Sequence, residues 1–323
     1  MGIKEKGLCF RIKGLGIILT LIFCLSAIHF MGTNCFAGGS GTTGATFLKL
    51  GVGSRPVAMG EAYVAVSDDV NSLYWNPAGL ATVTGRQMSF VHTEWFQSIR
   101  YEYLGYCQPM LGGVLGASGT FLWVDGIEQR GYTDPTGETI ERYIPSRDLA
   151  VAVSYGKTFS KKLNLGATLK IIYQQLDDKT ATGVALDLGM LYNLGKEKWT
   201  LGASLQNLGY ESAFISEASS LPMNLKIGIS NKYLEDKLTI AADINYGIMD
   251  SVWSIAGGID WWVHPMFAVR GGYKYNSAIS SLGPLAGLTI GAGFKYNIFN
   301  IDYAFVPYGD LGYTHRISLL AKF

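Results

Sequence analysis

Residues 266–275 read MFAVRGGYKY and contain the pattern that decides the fold. One set of alternate positions is mostly apolar or aromatic: Phe267, Val269, Gly271, Tyr273 and Tyr275. The other set is small or charged: Ala268, Arg270, Gly272 and Lys274. Side chains of a β-strand alternate between the two faces of its sheet, so this segment predicts a strand with one apolar and one polar face.

The same alternation recurs to the end of the chain. Segment 163–174 repeats it with one lapse, Ile172, an apolar residue on the polar face. We place about fourteen strands, an even number, at 86–95, 99–108, 112–124, 147–157, 163–175, 181–193, 198–206, 222–232, 237–247, 251–262, 265–275, 286–296, 298–306 and 312–323. The expected fold class is all-β, a transmembrane outer-membrane β-barrel of antiparallel strands over residues 86–323.

A soluble β-sandwich would also alternate, because it hides one face of each sheet. Three features favour a membrane barrel: small residues on the polar face, short connections that alternate with longer ones, and aromatic residues near the ends of the apolar faces. The aromatic residues are Tyr246, Trp253, Trp261, Tyr273, Tyr275 and Tyr296. We expect short turns near 109–110, 160–162, 195–197, 234–235, 264 and 297 at a periplasmic rim. The longer connections 125–146, 207–221, 276–284 and 307–311 are expected outside.

The first 37 residues have the organisation of a secretory signal peptide. A basic start is followed by an apolar run over 15–31 and by the small-residue site before Gly38, so cleavage is expected between Ala37 and Gly38. A single membrane anchor is the alternative, since the run reaches the lower limit for spanning a bilayer. A lipoprotein is disfavoured, because no apolar residue precedes Cys35 in the manner of a lipobox. After cleavage, Cys107 remains as the only cysteine.

The composition excludes several classes of function. The formal net charge is +1, which provides no basic surface for nucleic acid. Outside the leader, the histidines are His92, His264 and His315, and they form no cluster with cysteine at metal-binding spacing. A G-x-S-x-G element and a phosphate-binding loop are both missing. We therefore expect no enzyme, no cofactor, no metal and no nucleic-acid partner.

Residues 38–85 precede the first expected strand and lack the period-2 alternation of the residues that follow them. Ser54 with Pro56 predicts a short helix through Ala58 to Val66. Asp68 or Asp69 could cap a second turn over 70–75, which Asn76-Pro77 ends. Capping explains these polar residues more simply than a cation site does. We expect this segment to form a small N-terminal helical plug, or hatch, at the periplasmic side of the barrel.

The last strand alternates from Tyr313 and the chain stops on Phe323. This ending resembles the signal by which bacterial outer-membrane barrels are recognised for insertion. It implies the barrel-assembly machinery as a partner, and outer-membrane lipid as the surroundings of the wall.

Motifs at both ends of the mature sequence resemble a known family. They are FLKLGVG at 47–53, MGEAYVAV at 59–66, the plug motif Asn76, Pro77, Ala78, Gly79 and Leu80 within YWNPAGL at 74–80, and GDLGYTHRISL at 309–319. Together they resemble outer-membrane proteins of the PorV/PorQ family. The plug motif is also similar to one in FadL-type long-chain fatty acid transporters. The resemblance implies a fourteen-stranded barrel whose N-terminal segment folds inward.

The resemblance implies two functions. PorV-like proteins act in type IX secretion, which would give this chain secretion-system proteins or exported cargo as partners. FadL-like proteins let long-chain fatty acids or other hydrophobic molecules cross the membrane past a displaced hatch. Export or transfer at the outer membrane is the first prediction and FadL-like passive transport is the alternative. A generic porin fits the polar lumen but not the plug.

Several residues are candidates for the lumen. Tyr74 and Trp75 could line a ligand chamber or anchor the plug by packing. Charged residues expected on the inward face are Arg100, Glu102, Lys170, Lys226, Asp243, Asp260, Arg270, Lys274, Lys295, Asp302 and Arg316. They predict either a solute pathway or a ladder of ion pairs between neighbouring strands, and the ladder is the simpler interpretation.

Overall fold

The structure is a computed structural model, and it describes residues 42–95, 99–131, 140–195, 198–214, 218–278 and 283–323. The predicted signal peptide, residues 1–37, and its cleavage site between Ala37 and Gly38 lie outside these ranges. Within them, no helix is both long enough and apolar enough to cross a membrane.

The described chain forms one closed barrel of fourteen antiparallel strands. In chain order, strands β1 to β14 are Gln87–Glu94, Ile99–Met110, Gly113–Arg130, Ile140–Ser160, Leu163–Leu176, Lys179–Asn193, Trp199–Glu211, Asn224–Tyr233, Leu238–Gly247, Trp253–His264, Phe267–Asn276, Leu288–Tyr296, Phe299–Pro307 and Tyr313–Lys322. Strand β1 pairs with β14, with Gln87 opposite Lys322 and Glu94 opposite His315. The predicted barrel is confirmed, and closure removes the unpaired edges that an open sheet would have.

The two faces of the wall differ as the period-2 pattern predicts. In β11, Val269 is exposed outward and Arg270 is buried inward. In β14, Ile317 is exposed and Arg316 is buried. The six aromatic residues expected on the outer face are all exposed. A continuous apolar outer surface is typical of barrels whose wall faces lipid.

The barrel has one rim of short connections and another that also carries the three longest. The turn rim, as we call it, holds connections 111–112, 161–162, 194–198, 234–237, 265–266 and 297–298. The loop rim holds connections 131–139, 212–223, 248–252, 277–287 and 308–312, together with 95–98 and one tight turn at 177–178. The three longest intervals between strands, 131–139, 212–223 and 277–287, join strand ends at the loop rim, as predicted, but the other four at this rim have two to five residues, like those of the turn rim.

Two predicted details of the wall are wrong. The connection expected at 125–146 is mostly strand, because β3 continues to Arg130 and β4 begins at Ile140, across a register shift after Val124. The strand β7 likewise continues into the connection expected at 207–221. In addition, Arg100 and Glu102 point outward, since Tyr101 and Tyr103 occupy the buried positions of β2.

Residues 42–86 lie inside the barrel and are called the inner segment below. Near the loop rim, Thr43 pairs with Ser220; near the turn rim, the Phe323 N–H donates to the Arg86 carbonyl at 2.9 Å. The segment thus extends from one rim to the other, whereas the sequence analysis placed it at the periplasmic side.

The local structure of the inner segment is mostly short helices. They are α1 (Ser54–Ala58), α2 (Ser72–Trp75) and the 3-10 helices Thr46–Lys49 and Pro77–Thr82. The helix predicted to run to Val66 is shorter, because Gly60 and Glu61 have φ values of 65° and 69° and turn the chain. Ser54 lies within α1 and provides no cap. The predicted stop at Asn76 is seen, where the backbone becomes extended.

Candidate functional site

Glycines on the inward face of the wall let the backbone of the inner segment lie directly against the strands. A Cβ atom on Gly272 would overlap the backbone of Met59 and Gly60, and one on Gly258 would overlap Met59. Gly202 of β7 meets the Val64 carbonyl in the same way. The small residues that the sequence places on the polar face therefore make room for a chain.

The plug motif also lies with its backbone directly against inward-facing glycines, here those of β4, β5 and β6. Its five residues, Asn76, Pro77, Ala78, Gly79 and Leu80, are all buried. Asn76 Oδ1 accepts the Ala78 N–H at 3.2 Å, while Nδ2 donates to the carbonyls of Val64 and Met190 at 2.9 and 3.1 Å. A Cβ on Gly166 or Gly189 would overlap Pro77. The motif thus ties two parts of the inner segment to the wall.

Wall side chains hold the inner segment chiefly through its backbone. Asp243 Oδ2 accepts the N–H groups of Tyr63 and Val64 at 2.7 and 2.8 Å. The Thr289 hydroxyl accepts from Gly60 and donates to the Ala58 carbonyl, both at 2.9 Å. Gln174 and Ser318 likewise accept the N–H groups of Ala45 and Ser54. Gln206, Ser230 and Arg316 donate to the carbonyls of Tyr74, Ala65 and Gly51.

Arg55 of α1 connects the inner segment to the wall by charge. Its guanidinium contacts Asp68 at 2.6 Å, Asp69 at 2.9 Å and Asp260 of β10 at 2.9 Å. Burial lowers the pKa of Arg55, but these carboxylates outweigh burial and raise it well above its ordinary value, so the group stays charged. Asp68 also pairs with Lys232 of β8 at 3.1 Å.

A second ion pair joins Glu61 to Lys274 of β11, with 2.5 Å between Oε2 and Nζ. Burial raises the pKa of Glu61, and the neighbouring Lys274 outweighs that effect, so the net pKa lies below its ordinary value of 4.5. The carboxylate is therefore ionised at neutral pH.

Other inward charges form the ladder that the sequence analysis favoured. Arg270 donates from Nε to Asp260 at 2.9 Å and from a terminal nitrogen to Asp302 at 2.7 Å. The second bond passes over β12, where a Cβ on Gly293 would lie 2.6 Å from both charged groups. Satisfied ion pairs of this kind stabilise one arrangement of neighbouring strands.

Aromatic and cationic side chains meet beneath the loop rim. Tyr74 and Trp75 are buried, and the Lys226 ammonium of β8 lies 4.4 Å from the Trp75 ring centre. Arg316 is buried and donates to the Gly51 carbonyl at 2.5 Å, with its guanidinium 5.4 Å from the Trp95 ring. Among the predicted lumen residues that do face inward, Lys295 alone is exposed, at the turn rim.

Two polar cavities flank the stretch from Arg55 to Tyr63. One of about 210 Å³ opens at the loop rim beside Glu61 and Lys226. The other, of about 190 Å³, opens at the turn rim beside Arg55 and Asp260. A short length of the inner segment therefore separates the two sides of the barrel along this part of the wall.

Residues 37–184 match the model of a family described as Uncharacterised protein family (UPF0164). Two proteins of Treponema pallidum (strain Nichols), each described as a UPF0164 protein, are similar to part of the chain. One is 27% identical over 139 residues, covering 43% of this chain and 35% of the relative. The other is 23% identical over 167 residues, covering 49% and 51%. The matches span about half or less of these relatives.

Solved structures with the same architecture include the CymD monoaromatic hydrocarbon channel, with a TM-score of 0.59 and 14% identity over 84% of this chain and 98% of that one. A Pseudomonas aeruginosa FadL homologue has a TM-score of 0.58 and 11% identity, with the same coverage. The Pseudomonas putida toluene transporter TodX has a TM-score of 0.53 and 15% identity, covering 84% and 96%. The barrel has a FadL-type fold. At such identities the likeness concerns the fold alone.

Sequence reasoning missed most of the contacts between the inner segment and the wall. No local pattern predicts the ion pairs between the inner segment and the wall. These pairs are formed by Arg55, Glu61 and Lys232. Arg55 and Glu61 could have been identified because each is a charged residue within a stretch of mostly small and apolar residues, 51–66. The Asp68–Asp69 pair, which the sequence suggests for capping or a cation, neutralises Arg55, and Asp69 Oδ1 also accepts the Asn71 N–H at 2.9 Å just before α2.

Proposed function

We propose that this protein is a non-enzymatic outer-membrane barrel that transfers small molecules across the membrane, with the inner segment as its hatch. The observation that carries the proposal is the filled lumen: the inner segment reaches both rims and separates two polar cavities. Apart from its main-chain continuity with β1 at Gln87, it is held by ion pairs and hydrogen bonds that can exchange with water. Passage would need only part of it to move.

Location in the outer membrane is part of this proposal. The apolar outer face and its aromatic residues suit lipid, and the polar inner face suits a lumen. The sequence pattern over 1–37, with cleavage between Ala37 and Gly38, would supply the export signal. The strand ending at Phe323 would be recognised by the barrel-assembly machinery.

The fold favours FadL-like passive transport, the alternative of the sequence analysis. The similar structures include channels described for monoaromatic hydrocarbons and toluene. Fatty acids or other hydrophobic molecules are therefore the first ligands to try in transport assays.

Conductance in planar bilayers tests the hatch. Deletion of residues 38–80 should raise the conductance well above that of the full-length barrel. Glu61→Gln, which weakens the Glu61–Lys274 pair, should give more frequent openings of intermediate size. Lys157→Met, an exposed change on the outer face of β4, is the matched control and should leave conductance unchanged. Equal conductance for the deletion and the full-length protein would reject the hatch.

A role in export, of the PorV/PorQ type, is the second candidate, because one hairpin is much longer than the others. Strands β3 and β4 have 18 and 21 residues, and Ile127, Ile140 and Tyr143 are exposed near its end. Such a hairpin could contact secretion-system proteins or exported cargo beyond the rim. The test is affinity purification in mild detergent, comparing the full chain with a variant lacking residues 126–144. A protein partner that is lost with the hairpin would support export, and recovery of lipophilic molecules alone would count against it.

A further inference from the structure

The cavity at the loop rim is built largely from charged and amide side chains. Its charged residues are Lys49, Glu61, Lys226, Asp250 and Lys274. Asn224, Asn245 and Asn276 also line it and carry both hydrogen-bond donors and acceptors. A lining of this kind suits a polar ligand.

The charges of this cavity do not balance. Lys49 pairs with Asp250 at 2.7 Å and Lys274 pairs with Glu61 at 2.5 Å, so both carboxylates are used. Lys226 has no ion pair within 4.0 Å among the described residues, although it is only 6% exposed. Its contacts are the faces of Trp75 and Tyr74, 4.4 and 5.4 Å from the ring centres. Cation–π contacts and the more distant carboxylates of Glu61 and Asp243 compensate in part for the lost water, but they leave the ammonium without a direct ion pair.

We propose that this cavity binds a small organic anion, whose carboxylate or phosphate group pairs with Lys226. An anion that enters the cavity would give the buried ammonium the charged hydrogen-bond partner that the protein does not supply. The volume of about 210 Å³ equals about seven water molecules in the liquid, so the ligand is compact. Its charged and amide lining offers no continuous apolar surface for a long acyl chain.

The cavity at the turn rim has an excess of negative charge, so we expect an anion to bind at the loop rim instead. Its lining contains five carboxylates, Asp68, Asp69, Asp236, Asp260 and Asp302, against three cations, Arg55, Lys232 and Lys322. An anion is therefore attracted to one side of the Arg55–Tyr63 stretch and repelled on the other. This inference goes beyond the hydrophobic ligands of the proposed function by naming a polar ligand class, and only the passage of that ligand rests on the proposed hatch.

Isothermal titration calorimetry on the solubilised full-length barrel tests the site directly. The probes are acetate, succinate, octanoate and inorganic phosphate, with neutral succinamide as the uncharged counterpart of succinate. We expect a dissociation constant in the millimolar range or below for succinate or phosphate, and none measurable for succinamide. Comparison of succinate with phosphate identifies which anionic group is preferred.

Variants locate the binding. Lys226→Met should weaken binding about tenfold or more, Lys226→Arg should retain it, and Lys295→Met at the opposite rim should leave it unchanged. Heat-modifiable mobility on gels shows whether each variant forms the barrel. If Lys226→Met does not assemble, the preference of the wild type for succinate over succinamide decides the question.

Three results would overturn the site. They are equal affinity for succinate and succinamide, unchanged affinity in an assembled Lys226→Met barrel, and octanoate binding at least tenfold tighter than acetate, which would indicate a lipophilic pocket. The two tests are separable. If the full-length barrel binds succinate while deletion of residues 38–80 leaves the conductance unchanged, the anion site stands and only the hatch is rejected.

Discussion

Asp243 is the wall residue whose replacement tests most directly how the inner segment is held. One carboxylate oxygen accepts two backbone N–H groups, from Tyr63 and Val64, at 2.7 and 2.8 Å. Tyr63, Val64 and Asp243 are all buried, so water does not reach these groups in the closed barrel. Asp243→Ala removes the acceptor and leaves two unsatisfied donors.

The size of the effect follows from the cost of those donors. A buried polar group that loses its partner costs about 1–3 kcal/mol, so the two together cost about 2–6 kcal/mol. Local opening of the segment at Tyr63 and Val64 should therefore become at least about 30-fold more frequent. Asp243→Asn keeps one acceptor oxygen and should have a smaller effect in the same direction.

Hydrogen–deuterium exchange followed by mass spectrometry measures this opening. Peptides covering 59–66 should exchange faster in Asp243→Ala, while peptides from β11 should not change. Asp236→Ala is the matched control, because Asp236 lies in an exposed turn and pairs with Lys198. Unchanged exchange over 59–66 in an assembled Asp243→Ala barrel would refute the view that these bonds hold the segment.

Three further predictions concern packing, pH and assembly. Gly258→Val should expose the inner segment to protease, because its side chain would overlap Met59, whereas Gly257→Val on the outer face has open space and should be neutral; equal protease sensitivity would contradict the packing described. Burial raises the pKa of Asp68, but Arg55 and Lys232 outweigh burial and hold this pKa below 3.8. The ionised carboxylate therefore stabilises the folded barrel fully above pH 3.8, and this stabilisation is lost as the pH falls further. The difference in protease protection between the wild type and Asp68→Asn should accordingly be constant from pH 7 to pH 5 and shrink only in stronger acid, and a difference that disappears near pH 6 would contradict this role of Asp68. Deletion of Phe323 should reduce the heat-modifiable barrel on gels, and full assembly would show that the terminal residue is dispensable.

The wall could be predicted from sequence because one local rule governs it. Period-2 alternation fixes the face of each residue, and the fourteen strands were placed within a few residues except where β3, β4 and β7 extend. That extension was missed because Gly126, with φ of 81°, interrupts the alternation at a bulge while pairing continues beyond it. Ile172, the lapse on the polar face, is fully buried in a cluster with Phe47 and Leu48 of the inner segment.

The candidate site could be predicted only in part, because its contacts join distant residues. Glu61 and Lys274 are 213 positions apart, and no local pattern indicates that they meet. The expected pairing of inward charges on neighbouring strands is present between Arg270 and Asp260, since β10 and β11 follow one another in sequence. The course of the inner segment depends instead on left-handed turns such as Gly60–Glu61, which helix periodicity does not reveal.

The wall binds the inner segment mainly by main-chain groups, and this has a consequence for how the sequence can vary. Asp243, Thr289 and Gln206 contact N–H and carbonyl groups that any residue other than proline would offer. The barrel thus recognises the path of the chain more than the identity of its side chains. Substitutions that keep this path can be absorbed, whereas a change at Gly60, whose φ of 65° sets the turn, alters the path itself.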